Sequence, residues 1–199
     1  MSIPDEDVVR EVLSVNGRGQ ALRAAVLDAW ASVQKLSIQH PWWRRKATRA
    51  ALMWEHSVQN AISALTGDNG LQVIPHHDTT SFIFDDKILL RMKKANIQLI
   101  SSNYPTLLAE TYHDHNVDLF GFAGHQRVEL CHVFNRFKTK IDWVGVVARE
   151  KGNVLWHIDL DLSEAKVVPL PLPKTGSAAD AVVQPLLPAS KKDNSDGAA

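Results

Sequence analysis

The sequence predicts an α+β protein: a pair of long N-terminal helices packed on a mostly antiparallel β-sheet, with a disordered tail after it. Three observations predict this. Apolar residues recur at steps of three and four between residues 20 and 65, the period of a helix that buries one stripe. From residue 71 the period shortens to two, as in strands. Beyond residue 168 lie five of the nine prolines, among Ser, Ala, Lys, Asp and Gly, with too little periodic apolar content to offset the entropy of ordering. The expected organisation is one domain over 1–170 and a Pro/Ser/Ala-rich tail over 171–199.

The elements follow in order. Asp5, Glu6 and Asp7 suit the positive end of a short helix over 5–15, interrupted by Gly17 and Gly19. Leu22, Val26, Trp30 (or Ala29), Val33 and Leu36 stripe a helix over 20–39, which Pro41 ends. Trp43, Ala47, Ala50, Trp54, Val58, Ile62 and Leu65 stripe the clearest helix, 42–66, stopped by the run Gly67-Asp68-Asn69-Gly70. The two helices should pack as a hairpin, because neither can leave its stripe in water. Residues 71–75 and 81–94 read as strands, the latter a hairpin turning at Asp85-Asp86. Pro105 suits the first turn of a shorter helix over 105–115. Three strands follow within 127–160. The middle one, Trp143 to Ala148, is apolar on both faces and is expected centrally in the sheet.

Composition narrows the function. Lys+Arg and Asp+Glu are each 22, which argues against a bulk polycation but permits a local basic face. The single cysteine, Cys131, allows no intramolecular disulfide, and the acidic start lacks a signal-peptide pattern. No apolar run approaches the ~20 residues that cross a membrane. The expected location is the cytoplasm, and no cofactor is called for. No GxSxG, Walker or GxGxxG pattern occurs, against triad hydrolases, P-loop NTPases and Rossmann enzymes.

Two histidine clusters, His76-His77-Asp78 and His113-Asp114-His115, raise the question of a metal. On a helix, His113 and His115 point roughly 200° apart and cannot share an ion. The alternative is polar loop residues, and no metal site is expected. A restriction-type nuclease needs acids and a lysine on adjacent strands. Here Asp85 and Asp86 sit in a turn and Arg91 stands where an acid belongs, so the match is degraded; Glu55 is the other acid that could contribute. A metal-independent ribonuclease needs only acid–base and cationic groups in a cleft. Arg91, Lys93, His132 and Tyr112 are the candidates.

The cations carry more. Arg44, Arg45, Lys46 and Arg49 form one group, Arg91, Lys93 and Lys94 a second, and Arg136, Lys138 and Lys140 a third. Trp42, Trp43, Phe134 and Phe137 interleave them. Cations with stacking surfaces suit a phosphate backbone with exposed bases; they also suit an acidic protein, or simply solvated faces over a tryptophan core. Along a regular strand Arg91 and Lys93 share one face and Met92 takes the other. As the end of an apolar strand they are expected on the working surface.

Residues 84–160, under half of the chain, also resemble a group of uncharacterised bacterial proteins. The matching features are Leu90-Arg91-Met92-Lys93-Lys94, the helix after Asn103-Tyr104-Pro105-Thr106, and Arg127-Val128-Glu129-Leu130-Cys131-His132-Val133-Phe134-Asn135. Thr139-Lys140-Ile141 and Val154-Leu155-Trp156-His157-Ile158 complete them. Such proteins look like toxins of bacterial toxin–antitoxin or phage-defence pairs of the RosmerTA type. The resemblance implies a cognate antitoxin partner, typically a helix-turn-helix regulator, and carries no catalytic set onto this chain. The expected function is therefore a toxin or effector acting on nucleic acid, a nuclease if an enzyme, neutralised by its antitoxin. The alternative is a non-enzymatic module that recognises nucleic acid or a regulatory protein.

Overall fold

A computed structural model describes residues 3–76, 79–101, 111–115, 124–150 and 152–160. The first helix, α1, runs Glu6–Ser14, and the Asp5 side chain caps it by accepting from the backbone N–H groups of Asp7 and Val8. Asn16 and Gly17, both at positive φ, turn the chain directly into α2, Arg18–Gln39. Helix α3 spans Lys46–Ala64 and packs against α2, where Asn60 Nδ2 donates to the carbonyl of Ala25 at 3.2 Å. Its start falls after the expected residue 42. Trp43 N–H closes a turn onto the His40 carbonyl and its ring stacks on the His40 imidazole at 4.9 Å. That turn holds Arg44 and Arg45 outside the helix and leaves Trp42 64% exposed.

Six strands form one sheet in sequence order: β1 Leu71–His76, β2 Thr79–Phe84, β3 Ile88–Lys94, β4 Gln126–Phe134, β5 Ile141–Glu150 and β6 Asn153–Asp159. Every pairing is antiparallel except β3 with β4, which is parallel. The β2–β3 turn places Asp85 and Asp86 at φ 51° and 55°, the two positive values that a tight hairpin of this twist demands. The long connection from residue 95 to 125 is what a parallel pair requires. The apolar strand β5 has a neighbour on each side, but the middle of the sheet belongs to the β3–β4 seam.

The sheet has two distinct faces. Phe82, Phe84, Leu90, Met92, Val128, Leu130, Val144 and Val146 face the helices and join Leu22, Val26, Val33, Met53, Val58 and Ala61 in the main core. On the back face, Tyr112 from the connection covers Ile83 and Leu89. Its hydroxyl reaches the carbonyls of Leu89 and Val128 at 2.9 and 2.7 Å, bridging the two seam strands. Cys131 is buried beside Val133 and Val147, and burial pushes its thiol up.

Helices and sheet are tied by Arg18, which is 2% exposed. Its guanidinium donates to both carboxylate oxygens of Asp68 at 2.6 and 2.8 Å, to both of Asp85, and to the carbonyl of Val12 at 3.2 Å. The two acids belong to the turns before β1 and after β2. Gly70 lies between them, and a Cβ there would strike the Asp85 carboxylate and the guanidinium. Residues 161–199, and most of the expected helix 105–115, lie outside the described residues.

Candidate nucleic-acid interface

Helix α3 does not lie flush on the sheet at its N-terminal end. Between that end, α2 and the ends of β3 and β4 is a cleft of ≈ 460 Å³. One side is α3 itself. Lys46, Arg49, Met53 and Trp54 recur at steps that keep them on neighbouring rows of one helix face. The cations stand in the first turns, and Met53 and Trp54 are deeper. Trp30 of α2 forms the facing wall, edge-on to Phe134 at 4.7 Å.

Strands β3 and β4 make the floor. Alternation turns Met92 and Lys94 of β3 toward the cleft, with Leu130, His132 and Phe134 of β4 beside them. The Lys94 ammonium lies over the Phe134 ring, 5.7 Å from its centre. The β4–β5 turn closes the mouth with Phe137 and Lys138. Asn135 holds that turn: its side chain accepts from Thr139 N–H and donates to Thr139 Oγ1, both at 2.8 Å. Gln34 Nε2 then pins the Thr139 carbonyl to α2 at 2.8 Å. The result is a rigid turn that leaves Phe137 78% exposed.

The electrostatics are one-sided. Lys46, Arg49, Lys94 and Lys138 line the cleft, which Arg91 and Lys93 of β3 also border, and no acidic residue does so among the described residues. None of the four makes an ion pair among those residues. Partial burial and then the nearby Lys138 lower the Lys94 pKa. His132 is 9% exposed, and burial, followed by Lys94, pushes its pKa down to about 4, so the imidazole is neutral at physiological pH. Its Nε2 is buried and has no hydrogen-bond partner.

The cationic clusters therefore converge in part. Arg49, Lys94 and Lys138 meet, one from each of the three groups, with Lys46 added. Arg44 and Arg45 are exposed on the turn leading to α3, and Arg136 is exposed in the β4–β5 turn. Lys140 is compensated by Asp142 at 3.0 Å. Arg91 and Lys93 do not present a row with Lys94: their side chains alternate to the back face. Arg91 is buried there, 5% exposed, because its guanidinium stacks 4.4 Å from the centre of the Tyr112 ring and Nε donates to Ser81 at 3.0 Å. Of the four groups considered for metal-independent cleavage, His132 presents its ring to the cleft and Arg91 and Lys93 border it from β3. Tyr112 is fully enclosed, which drives its phenol pKa far up.

Sequence reasoning missed the walls Trp30 and Trp54. The spacing of Lys46, Arg49, Met53 and Trp54 is the available signal, since it puts cations and an aromatic on one strip of helix.

The back face holds a second charged group. Glu129, 1% exposed, lies 3.3 Å from His113 Nε2 and 3.5 Å from Arg149 Nη1. Burial raises its pKa, but His113, Ser101 and Arg149 outweigh that and hold the carboxyl below its usual range. Arg127 donates to the carbonyls of Thr111 and Asp114 at 2.9 and 3.0 Å. His115 Nε2 lies 2.7 Å from the carbonyl of Arg149. These groups clasp the connection to the sheet. Of the acids weighed for a nuclease centre, Asp85 is engaged by Arg18 and Asp86 by His125 Nε2 at 3.0 Å, whereas Glu55 is exposed on α3. Among the described residues no three His, Cys, Asp or Glu side chains are grouped as metal ligands would be. No described helix is long and apolar enough to cross a membrane.

Comparison with known proteins returns no match to a family model, to a curated protein or to a solved structure.

Proposed function

We propose that this chain is a cytoplasmic effector of a bacterial toxin–antitoxin or phage-defence pair, that it engages single-stranded nucleic acid in the α3–sheet cleft, and that a cognate antitoxin protein neutralises it. One observation supports the binding reading above the rest. A chain of zero formal net charge gathers six cations, Lys46, Arg49, Arg91, Lys93, Lys94 and Lys138, around an aromatic-walled cleft that no described acid lines. Lysines and arginines that neutralise phosphates and release their condensed counter-ions, with rings for bases to stack on, are the general requirements of single-strand binding.

The second reading, a binding module without chemistry, is favoured by the separation of the candidate groups. Acid–base cleavage of RNA needs two partners flanking the reacting phosphate. His132 faces the cleft, whereas the Arg91 guanidinium and Tyr112 lie behind the sheet.

Anisotropy titration of labelled single-stranded RNA across a salt series tests the binding. Lys46→Ala with Arg49→Ala should weaken binding and reduce the slope of log K against log salt by about 0.7 for each phosphate deprived of its cation. An unchanged slope removes the cleft from the interface. Induced expression with growth and RNA integrity followed together tests the effector role. Growth arrest with intact RNA supports the module reading over a ribonuclease, and unaffected growth overturns the toxin.

A further inference from the structure

We infer that the cleft is a single-nucleotide pocket: one unstacked base enters between Trp54 and Phe134 and meets His132, while its flanking phosphates rest on Lys94, Lys138 and Arg49. The inference rests on the nucleic-acid reading above and deepens it.

Three features of the cleft lead to this ligand. Its volume of ≈ 460 Å³ is in the range of small-ligand sites, and it is bounded by the helix on one side and the strands below. A strand merely lying across a basic surface would need no such depth. Second, polar and apolar groups are segregated by depth. The exposed Lys46, Arg49 and Lys138 stand at the rim and mouth, and aromatic and sulfur-containing side chains make most of the walls, as suits a ligand with a charged end and a flat apolar end. Third, His132 puts a polar group on that apolar floor. Its Nε2 is enclosed without a partner, and an unsatisfied buried nitrogen costs free energy that a packed apolar residue would not. The ring itself borders the cleft and is edge-on to Phe134 at 5.1 Å.

A neutral imidazole offers one donor and one acceptor, so it can meet the edge of a base as well as stack beside it. That makes His132 the residue that sets base preference. The cations set affinity alone, because phosphate contacts carry no sequence information. The same chemistry fits a nucleotide within a strand and a free mononucleotide, and the two differ in how many phosphates must be satisfied.

The test uses the full chain and anisotropy or calorimetry with three probes: short single-stranded homopolymers of each base, an abasic strand of equal length, and free mononucleotides. The abasic strand should bind the wild-type protein about tenfold more weakly than the best homopolymer, since stacking of one base has that order of effect. His132→Phe keeps the floor aromatic and should compress the spread of affinities among homopolymers while leaving the salt slope unchanged. Lys94→Ala with Lys138→Ala should do the reverse. Mononucleotides that bind as tightly as strands would identify the free nucleotide as the occupant and still support the pocket.

Equal binding of abasic and natural strands would overturn the pocket and leave strand binding in place. Failure of every probe at low salt would overturn both readings. The abasic comparison needs no substitution, so it decides the question even if His132→Phe does not fold.

Discussion

Replacing Arg18 by methionine should cost about 3–5 kcal/mol, the range found when one member of a buried ion pair is removed and the other stays behind. The geometry says where that cost arises. Five hydrogen bonds leave one guanidinium that is 2% exposed, four of them to carboxylate oxygens. The Asp68 side chain is 8% exposed and would be stranded, whereas Asp85, at 32%, can recover water. Most of the loss therefore falls on Asp68. Against the 5–15 kcal/mol typical of whole domains this is a large fraction, and for a unit of this size it corresponds to a melting point lower by roughly 6–20 °C.

The pH dependence has a definite sign. Hydrogen bonds from Arg18 hold both carboxyls below their usual range. In the wild type they stabilise the fold above the unfolded carboxylate pKa of about 4, and that contribution is lost as pH falls through the depressed folded values. In the variant, Asp68 is buried without its cation, so its pKa rises above the unfolded value and protonation relieves it. The deficit of Arg18→Met should then shrink as the solution is acidified from neutrality, and adding Asp68→Asn should recover much of it. Urea denaturation at a series of pH values measures this. A neutral-pH loss below about 1 kcal/mol, the scale of an exposed pair, would show that the clamp is not a buried ion pair in solution; a deficit that ignores pH would show the same of Asp68.

Three further outcomes are expected. Because His132 is held neutral, with a pKa of about 4 against 6.5 unfolded, the unfolded chain takes up the proton first on acidification. Stability should fall by about 2 kcal/mol between roughly pH 7 and pH 5 on this account alone, and His132→Phe should flatten that part of the curve. Glu129→Gln removes the one acid of the back-face cluster and leaves Arg149 without its counter-charge, so chemical denaturation should record a loss of about 3–5 kcal/mol; a change under 1 would mean that water reaches the cluster. Gly145→Ala should destabilise severely, because a Cβ there would strike the Trp143 ring and the carbonyl of Ile158, and near-wild-type melting would refute that packing.

How far the sequence can be read follows from the range of each interaction. Helix stripes and strand alternation are local, so α2, α3 and the strands are legible to within a few residues. The start of α3 is not, because a turn built on His40 and Trp43 competes with helix over the same residues. The parallel seam is invisible, since alternation shows which face a residue takes but not which strand lies beside it. Arg18 gives no signal, as its partners lie 50 and 67 residues away. Arg91 is expected on the working surface, and contacts distant in sequence, with Tyr112 and Ser81, bury it instead. In the cleft, Arg49, Lys94 and Lys138 can be nominated singly, but their meeting depends on the packing of α3 across the seam.

The parallel seam also orders assembly in time. Strands β1 to β3 form one run of short hairpins and β4 to β6 another, and each can pair from local contacts alone. Joining β3 to β4 requires closing the connection from 95 to 125, which places the seam among the slower, high-contact-order events. The cleft straddles that seam, with Lys94 on one side and His132 on the other, paired residues in its register. Neither half of the sheet holds the whole of the proposed site. Ligand should accordingly act on the seam, raising amide-exchange protection of β3 and β4 together by an amount that grows with the logarithm of its concentration.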